Sequence, residues 1–348
     1  MLPLLRDLAE RAERDLDPRW HDYLDTGAGE EISLHEAEAA WQAYRLRPRV
    51  LRAAGEVGTA ARILGTRVET PVAVAPTAYH RMFHEAGEVA TAAGAAAAGA
   101  LMIVSTRATM PLADIAAAAG PWWLQVYLTR ERAAIENLVT AAAELGASAI
   151  VLTGDTPIVS TRSRGRGSVA AMPPEWHLTN LGRAVPEGVD PVWAVDADPA
   201  ASLDDIQRLA ELSGLPVLVK GVLRGDDALA CLDAGAAGIV VSNHGGRQLD
   251  RAIATAVALP EVVTAVGGQA PVLVDGGIRS GMDALVALAL GADAVLLGRP
   301  VVWGLAAAGA AGVQTVLDGV TSDLRESLAL FGVASPGGLD ADDVTGRR

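Results

Sequence analysis

The sequence predicts a (β/α)8 TIM barrel, on three observations. Eight short apolar runs recur along the chain: 72–75 (VAVA), 101–104 (LMIV), 123–126 (WLQV), 149–153 (AIVLT), 217–220 (VLVK), 238–241 (GIVV), 272–275 (VLVD) and 294–297 (AVLL). Between most neighbours lie roughly 20–30 residues, room for a loop, a helix and a return loop, the spacing of parallel strands joined by crossovers. Several intervening stretches stop at a glycine just before the next run, as in AELGASAIVL, LDAGAAGIVV and LALGADAVLL, the expected cap of a helix that feeds a strand. Eight such units in series favour closure over a doubly wound open sheet, the alternative that strand count alone leaves standing. The whole chain, 1–348, reads as one domain.

Composition agrees. Alanine, valine, leucine and glycine dominate and aromatics make up 4%, which suits close helix-on-sheet packing. The net charge of -14 argues against nucleic acid or an anionic membrane as partner. A single cysteine, Cys231, excludes a disulfide framework and a multi-cysteine metal site, and reads as a small buried helix residue. The longest apolar stretch, AAGAAAAGALMIV, is too short to span a bilayer, and no basic-then-apolar leader opens the chain. The expectation is a cytoplasmic protein without a metal.

In chain order, a helical stretch from Leu4 to Leu16 precedes the polar segment HDYLDTGAGEEISL. The strand and helix rhythm then runs from 72 to the C-terminal third. One interval breaks it: 156–202, which includes TRSRGRGSVAAMPPEWHLTNLGRAVPEGVDPVW, is rich in glycine, proline and tryptophan and has no periodicity. A structureless insertion of this length reads as a lid-like loop, placed after strand 4 on the face where barrels build active sites.

The C-terminal ends of barrel strands should carry the reactive groups. Read in order, they offer Pro76, Thr77 and Ala78; Ser105 and Arg107; Gln125 and Tyr127; Thr153 and Asp155; Lys220; Ser242 to Arg247; Asp275, Gly276, Gly277 and Arg279; and Gly298 and Arg299. VDGGIRSG and LLGRP, after strands 7 and 8, resemble a phosphate site in which glycines expose backbone N–H groups and Arg279 and Arg299 add charge. Lys220, the sole lysine in an arginine-rich chain, ends strand 5, where a compact charge could stabilise a developing anion; a Schiff-base role is the competing chemistry. In VVSNHGGRQLD, His244 can act as a general base and Arg247 can grip a carboxylate, with glycines leaving room for a flat ligand. His80 and His84 read as helix-surface residues.

These motifs carry a resemblance. From HDYLDTGAG through RPRVLR, APTAYHRMFHEAGE, LQVYLTR, LTGDTP, LPVLVKGV, SNHGGRQLD and VLVDGGIRSG to LLGRP, the chain is similar to the FMN-dependent α-hydroxy-acid oxidase and dehydrogenase family, which includes glycolate, lactate and hydroxymandelate oxidases and mandelate dehydrogenase. The resemblance implies FMN as cofactor and oxidation of an (S)-2-hydroxy acid to the 2-oxo acid, with O2 as the expected electron acceptor and a tetrameric homo-oligomer. It implies His244 as the base, oriented by Asp155, with Arg247, Arg162 and Tyr23 on the substrate carboxylate and Tyr127 near the substrate oxygens. It implies Lys220 at N1 and O2 of the flavin. Thr77, Ala78, Ser105, Gln125, Thr153 and Ser242 would line the flavin ring and ribityl chain, and the loops bearing Asp275, Gly276, Gly277, Arg279, Gly298 and Arg299 would hold its phosphate. Arg107 departs from the tryptophan of glycolate oxidase at a position bordering the side-chain pocket, which argues against glycolate; APTAYHRMFHEAGE resembles the hydroxymandelate oxidases and Ala78 leaves space by the substrate carbon, so a bulky or aromatic, mandelate-like substrate is expected. The alternative reading keeps the fold and makes it an FMN- or phosphate-binding isomerase or lyase without net substrate oxidation.

Overall fold

The computed structural model describes residues 1–52, 55–162, 164, 167–182, 190 and 194–346. Eight parallel strands close on themselves: β1 (Val72–Val74), β2 (Met102–Ser105), β3 (Trp122–Val126), β4 (Ile150–Thr153), β5 (Val217–Val222), β6 (Gly238–Val241), β7 (Val272–Asp275) and β8 (Ala294–Leu297). Closure is made by β8 against β1, pairing Val295 with Val72, Leu296 with Ala73 and Leu297 with Val74. The open sheet is thereby excluded.

Alternation along each strand sorts side chains into two cores. The outward set, with Val72, Val74, Val104 and Leu124, packs against the helices. The inward set, with Ala73, Leu101, Ile103, Trp123, Val151, Leu218, Val240, Leu273 and Leu296, fills the barrel. A hairpin of Ala61–Ile63 and Thr66–Val68 plugs the lower end, sending Ile63 and Val68 into that same interior cluster. The hairpin is absent from the sequence expectation, because ARILGTRV offers too few apolar positions to read as paired strands.

The N-terminal segment holds three helices, α1 (Pro3–Asp15), α2 (Pro18–Asp25) and α3 (Ile32–Gln42). The polar stretch HDYLDTGAGEEISL, given no element in the sequence reading, contributes to α2 and α3. Strand β5 continues two residues beyond its expected end, with a register shift between Lys220 and Val222. Gly221, at φ 108, allows it, since a Cβ there would lie 2.6 Å from that of Asp155.

Three further expectations need correction. His80 is 1% exposed and bonds Thr91 Oγ1 through Nδ1 at 2.8 Å, while His84 packs beneath Gly309; neither sits on a helix surface. The segment 156–202 is not structureless: it contains short helices at Val169–Ala171 and Pro174–Leu178. Backbone bonds from Arg130 to Asp196 and from Asp198 to Leu128 tie it to the loop after β3. Residues 163, 165–166, 183–189 and 191–193 of that insertion lie outside the described residues. Lastly, a helix long and apolar enough to cross a membrane by length and composition does exist, Arg299–Phe331, whose most apolar window has mean hydropathy 1.4. It is 61% buried over its most apolar window and breaks from helical geometry at Ala308 and Gly309, as suits a helix wedged into the barrel's outer layer. Cys231 is buried in the helix Gly225–Asp233 as expected, and burial pushes its thiol up to about 11.

Candidate active site

The inward column of each strand changes character near its C-terminal end. Continuing at a spacing of two from the interior residues reaches Thr77, Ser105, Gln125, Thr153, Lys220, Ser242, Asp275 and Gly298. Thr77, Thr153, Lys220, Asp275 and Gly298 of this polar ring floor a cavity of about 310 Å3. The cavity is lined by Tyr23, Thr77, Ala78, Arg107, Tyr127, Thr153, Arg162, Lys220, His244, Arg247, Asp275, Gly276, Gly277, Arg279, Gly298 and Arg299, all expected from the sequence. Ser105, Gln125 and Ser242 do not line it. Ser105 Oγ donates to Gln125 Oε1 (3.2 Å), and Gln125 Nε2 donates to Thr153 Oγ1 (2.9 Å). They brace the floor from below. Asp155 likewise stands behind the wall rather than in it.

His244 is the centre of one end. It adopts φ 58, a left-handed conformation that costs a non-glycine residue on the order of 1 kcal/mol or more and gathers at functional sites. Its backbone N–H donates to Ser242 Oγ (3.0 Å), which helps to hold the turn. Nδ1 lies 2.9 Å from Asp155 Oδ1 and Nε2 lies 3.2 Å from the Tyr127 hydroxyl. A carboxylate only accepts, so Nδ1 carries the proton and the Nε2 lone pair faces the cavity. Burial works to raise the Asp155 carboxyl, but the charge and hydrogen bond of His244, with the Lys220 charge, outweigh it and hold it below its ordinary value. Burial, reinforced by Asp155, pushes the Tyr127 phenol well up, so it remains a neutral donor.

Lys220 joins this end to the next. Its Nζ donates to Ser242 Oγ (2.8 Å) and lies 3.1 Å from Asp275 Oδ2, with both partners of the ion pair buried. Asp275, expected beside a phosphate, is thus the counter-ion of Lys220. Gly277, also assigned there, is required for a different reason: a Cβ would fall 2.2 Å from Ala37 O of α3. Gly246 similarly makes way for the start of α3, its virtual Cβ 2.7 Å from Leu34 N, rather than for a flat ligand.

The other end is arginine-rich. Arg247 donates to the carbonyls of Tyr23 (2.9 Å), Leu24 (3.2 Å) and Thr26 (2.7 Å) at the C-terminus of α2, carbonyls that a helix end leaves without intrahelical partners. Arg299 donates to Leu24 O (3.0 Å) and Gly245 O (3.1 Å). Arg279 lies 3.1 Å from Glu38 of α3. Burial, then the Arg162 charge, lowers Arg247 to about 10. Burial, then the charges of Arg247 and Arg279, lowers Arg299 to about 9. Both remain cations at neutral pH. Arg162 and Arg247 stack on the Tyr23 ring at 5.1 and 5.0 Å, cation–π contacts that fix all three side chains. Gly298 begins the long helix Arg299–Phe331 with no side-chain cap; Pro300 has no N–H and Val301 and Val302 donate theirs to Gly298 O, which leaves the Arg299 N–H to add to an anion-binding end.

Sequence reasoning missed Leu24, Thr26 and Glu38, which orient the arginines, and the lining residues Tyr79 and Gln248. Tyr79 sits at φ 64, edge-on to Tyr23 at 5.9 Å, and burial pushes its phenol up to about 12. It belongs to APTAYHRMF, but nothing in that string marks its direction. Gln248 Nε2 bonds the carbonyls of Asp155 and Ile158. Being next to Arg247 is its one sequence signal.

The arrangement can therefore bind an anion at one end and accept a proton at the other. Residues 12–345 match the FMN-dependent dehydrogenase family. The L-lactate oxidase of Nostoc sp. is 41% identical over 350 residues, covering 97% of this chain and 96% of that protein. The 4-hydroxymandelate oxidase of Amycolatopsis orientalis is 43% identical over 342 residues, 96% of this chain and 95% of that protein. A solved structure of mandelate oxidase is similar with a TM-score of 0.89 at 41% identity, covering 98% of this chain and 97% of that one. With the match running through every strand end that forms the cavity, this chain belongs to the FMN-dependent dehydrogenase family.

Proposed function

We propose that the protein oxidises an (S)-2-hydroxy acid to the 2-oxo acid, with O2 reoxidising the cofactor to give hydrogen peroxide. The observation that carries this reading is His244, whose Nε2 lone pair faces the cavity while Asp155 holds Nδ1 at 2.9 Å. The residues fit FMN: buried Arg279, half-buried Arg299, the uncapped helix start at Gly298 and the turn at Gly276 suit its phosphate. The buried carboxylate oxygen Oδ1 of Asp275, without a hydrogen-bond partner, suits a polar ligand near Lys220. FMN supplies the two-electron acceptor when bound.

The chain's own residues supply the rest. Arg247 and Arg162 hold the substrate carboxylate against Tyr23, which turns the 2-hydroxyl toward His244. His244 Nε2 takes the proton, and Asp155 stabilises the imidazolium that results. Tyr127 donates a hydrogen bond beside that proton path, and Lys220 sets a positive charge at the floor. The apolar wall of Ala78, Val159, Val169 and Ala197 supports a bulky side chain. The protein is expected to act as a homotetramer, as the resemblance implies, and in the cytoplasm, as its composition suggests.

Anaerobic mixing of the yellow holoenzyme with (S)-mandelate, (S)-lactate and glycolate, followed by air, tests the reading. Bleaching by at least one acid and recovery with peroxide release are expected. A flavin that no 2-hydroxy acid bleaches would favour the isomerase or lyase alternative.

A further inference from the structure

Arg107 has no task in the reaction just described. It follows β2 and lines the cavity, as do Tyr79, Val159, Val169 and Ala197. Its backbone is pinned: its N–H donates to Ser105 Oγ (3.1 Å) and its carbonyl accepts from Tyr79 N (3.1 Å). The guanidinium donates through Nη2 to Val195 O of the long insertion. Among the described residues no carboxylate pairs with it, whereas Lys220 has Asp275, Arg279 has Glu38 and His244 has Asp155. Its charge also reaches the phenols of Tyr79 and Tyr127, opposing the burial that raises both.

Charge in the cavity points the same way. A cofactor phosphate and one substrate carboxylate answer the arginine-rich end around Arg247 and Arg299. Arg107 is held apart from those roles, by Tyr79 through its backbone and by Val195 of the insertion through its guanidinium. A guanidinium partly withdrawn from water gains most from a carboxylate, whose two oxygens match its fork, and a site built to pair a group discriminates against ligands that lack it.

We propose that Arg107 selects 2-hydroxy acids that carry a second carboxylate at the far end of the side chain. The proposal rests on the oxidation reading above and names its substrate class. The apolar side chains of Val159, Val169 and Ala197 line the space between the two carboxylates, and Arg107 pairs with the distal one. Substrates with a neutral end leave the guanidinium without a counter-ion and bind less well, by about tenfold to a hundredfold.

The test uses matched pairs that differ at the distal group alone: (S)-2-hydroxyglutarate against (S)-2-hydroxypentanoate, and (S)-4-carboxymandelate against (S)-4-methylmandelate. With the holoenzyme, kcat/KM for flavin reduction should favour the acidic member of at least one pair by tenfold or more. Arg107→Met should bring that ratio to about one or invert it, and Arg107→Lys, which keeps the charge and loses the fork, should leave an intermediate ratio. Arg107 merely bracing Val195 would make Arg107→Met slow both members alike with the ratio unchanged, and that result overturns the proposal. So does a wild-type preference for the neutral member of both pairs. Should neither pair bleach the flavin, the oxidation of these acids fails separately, and binding of 2-oxoglutarate against 2-oxopentanoate, read from the flavin spectrum, decides the selectivity. Equal affinity for those two overturns it.

Discussion

The two ends of the barrel are built from the same alternating strand pattern and do opposite things with it. At the lower end the inward column is Leu101, Ile103, Trp123 and Val151, sealed by Ile63 and Val68 of the hairpin. At the upper end, one step further along the same columns, it becomes Ser105, Gln125, Thr153 and Lys220. The lower end is stable because these inward side chains are apolar, and the indole N–H of Trp123 donates to Ser148 Oγ (3.0 Å). The upper end carries a left-handed histidine, a buried ion pair and buried arginines whose pKa values are pulled down by burial. The difference teaches that the barrel's stability and its chemistry occupy separate layers, so each can be damaged with limited cost to the other.

The largest effect should come from the upper layer. His244→Gln removes the base while keeping a hydrogen-bonding side chain of similar reach, and should lower kcat/KM for flavin reduction by about 10²- to 10⁴-fold with little change in melting temperature. A melting temperature that collapses with the rate would mean the layers are not separate. Next in size is a lower-layer change. Ile63→Ala, at a fully buried position, should cost about 2–5 kcal/mol of stability in a denaturant titration while kcat of the folded fraction stays near wild type.

Gly277→Ala probes where the layers meet. Its Cβ would strike Ala37 O at 2.2 Å, and its φ of 77 is left-handed, so a loss on the order of 3 kcal/mol is expected, together with weaker FMN retention as the loop moves. Loss of FMN without loss of stability would return Gly277 to a purely phosphate-binding role.

Legibility in the sequence followed the same division. The eight strands are readable because a strand buried on both faces is a continuous apolar run, and β6, β7 and β8 coincide with their expected bounds. The hairpin and helices α2 and α3 are not, because each buries one narrow face and looks polar as a string. At the site, the residue types and their strand ends were legible from the alternation. Which of them line the cavity was not: Gln125 and Thr153 point the same way along adjacent strands, and only packing decides that one braces the other. Asp275 was grouped with a phosphate loop because Gly276 and Gly277 follow it, whereas its partner Lys220 lies two strands away, a neighbour that register alone creates. The orientation of Arg247 by the carbonyls of α2 depends on a helix end more than 200 residues earlier in the chain, a contact with no local sequence signal.

A smaller effect should appear when the anion end is filled. Arg299 is half-buried with carbonyl partners, and withdrawing that charge from water costs stability as long as it is protonated. Its folded-state pKa of about 9 lies below the ordinary 12.5, so the cost is fully present at neutral pH and fades as pH rises through about 9. An anion that pairs with the charge should offset it. Inorganic phosphate at ten times its Kd should stabilise FMN-stripped protein by about 1.4 kcal/mol, a rise of a few degrees in melting temperature. The rise should shrink above pH 9 and be absent in Arg299→Met. A phosphate effect unchanged in that variant would place the anion elsewhere.

The smallest effect concerns the long insertion that covers the upper end. Arg164 reaches from it to Glu31 (3.1 Å) and Asp25 (3.4 Å) of the N-terminal segment, which also supplies the carbonyls that hold Arg247 and Arg299. Glu31 is buried and accepts from Gly27 N, so one carboxylate braces the turn between α2 and α3 and tethers the loop as well. Because Arg164 is about half exposed, with a side-chain relative exposure of 45%, the tether is worth about 0.2–1 kcal/mol and weakens with salt. Arg164→Gln should leave the melting temperature within about a degree or two, yet speed proteolytic nicking within 156–202 by about two- to fivefold. Added salt should bring wild-type protein toward the variant's rate. If nicking is equally fast in both at low salt, the loop is held by its backbone bonds to 128–130 instead, and the upper end is closed by the barrel's own connections without help from the N-terminal helices.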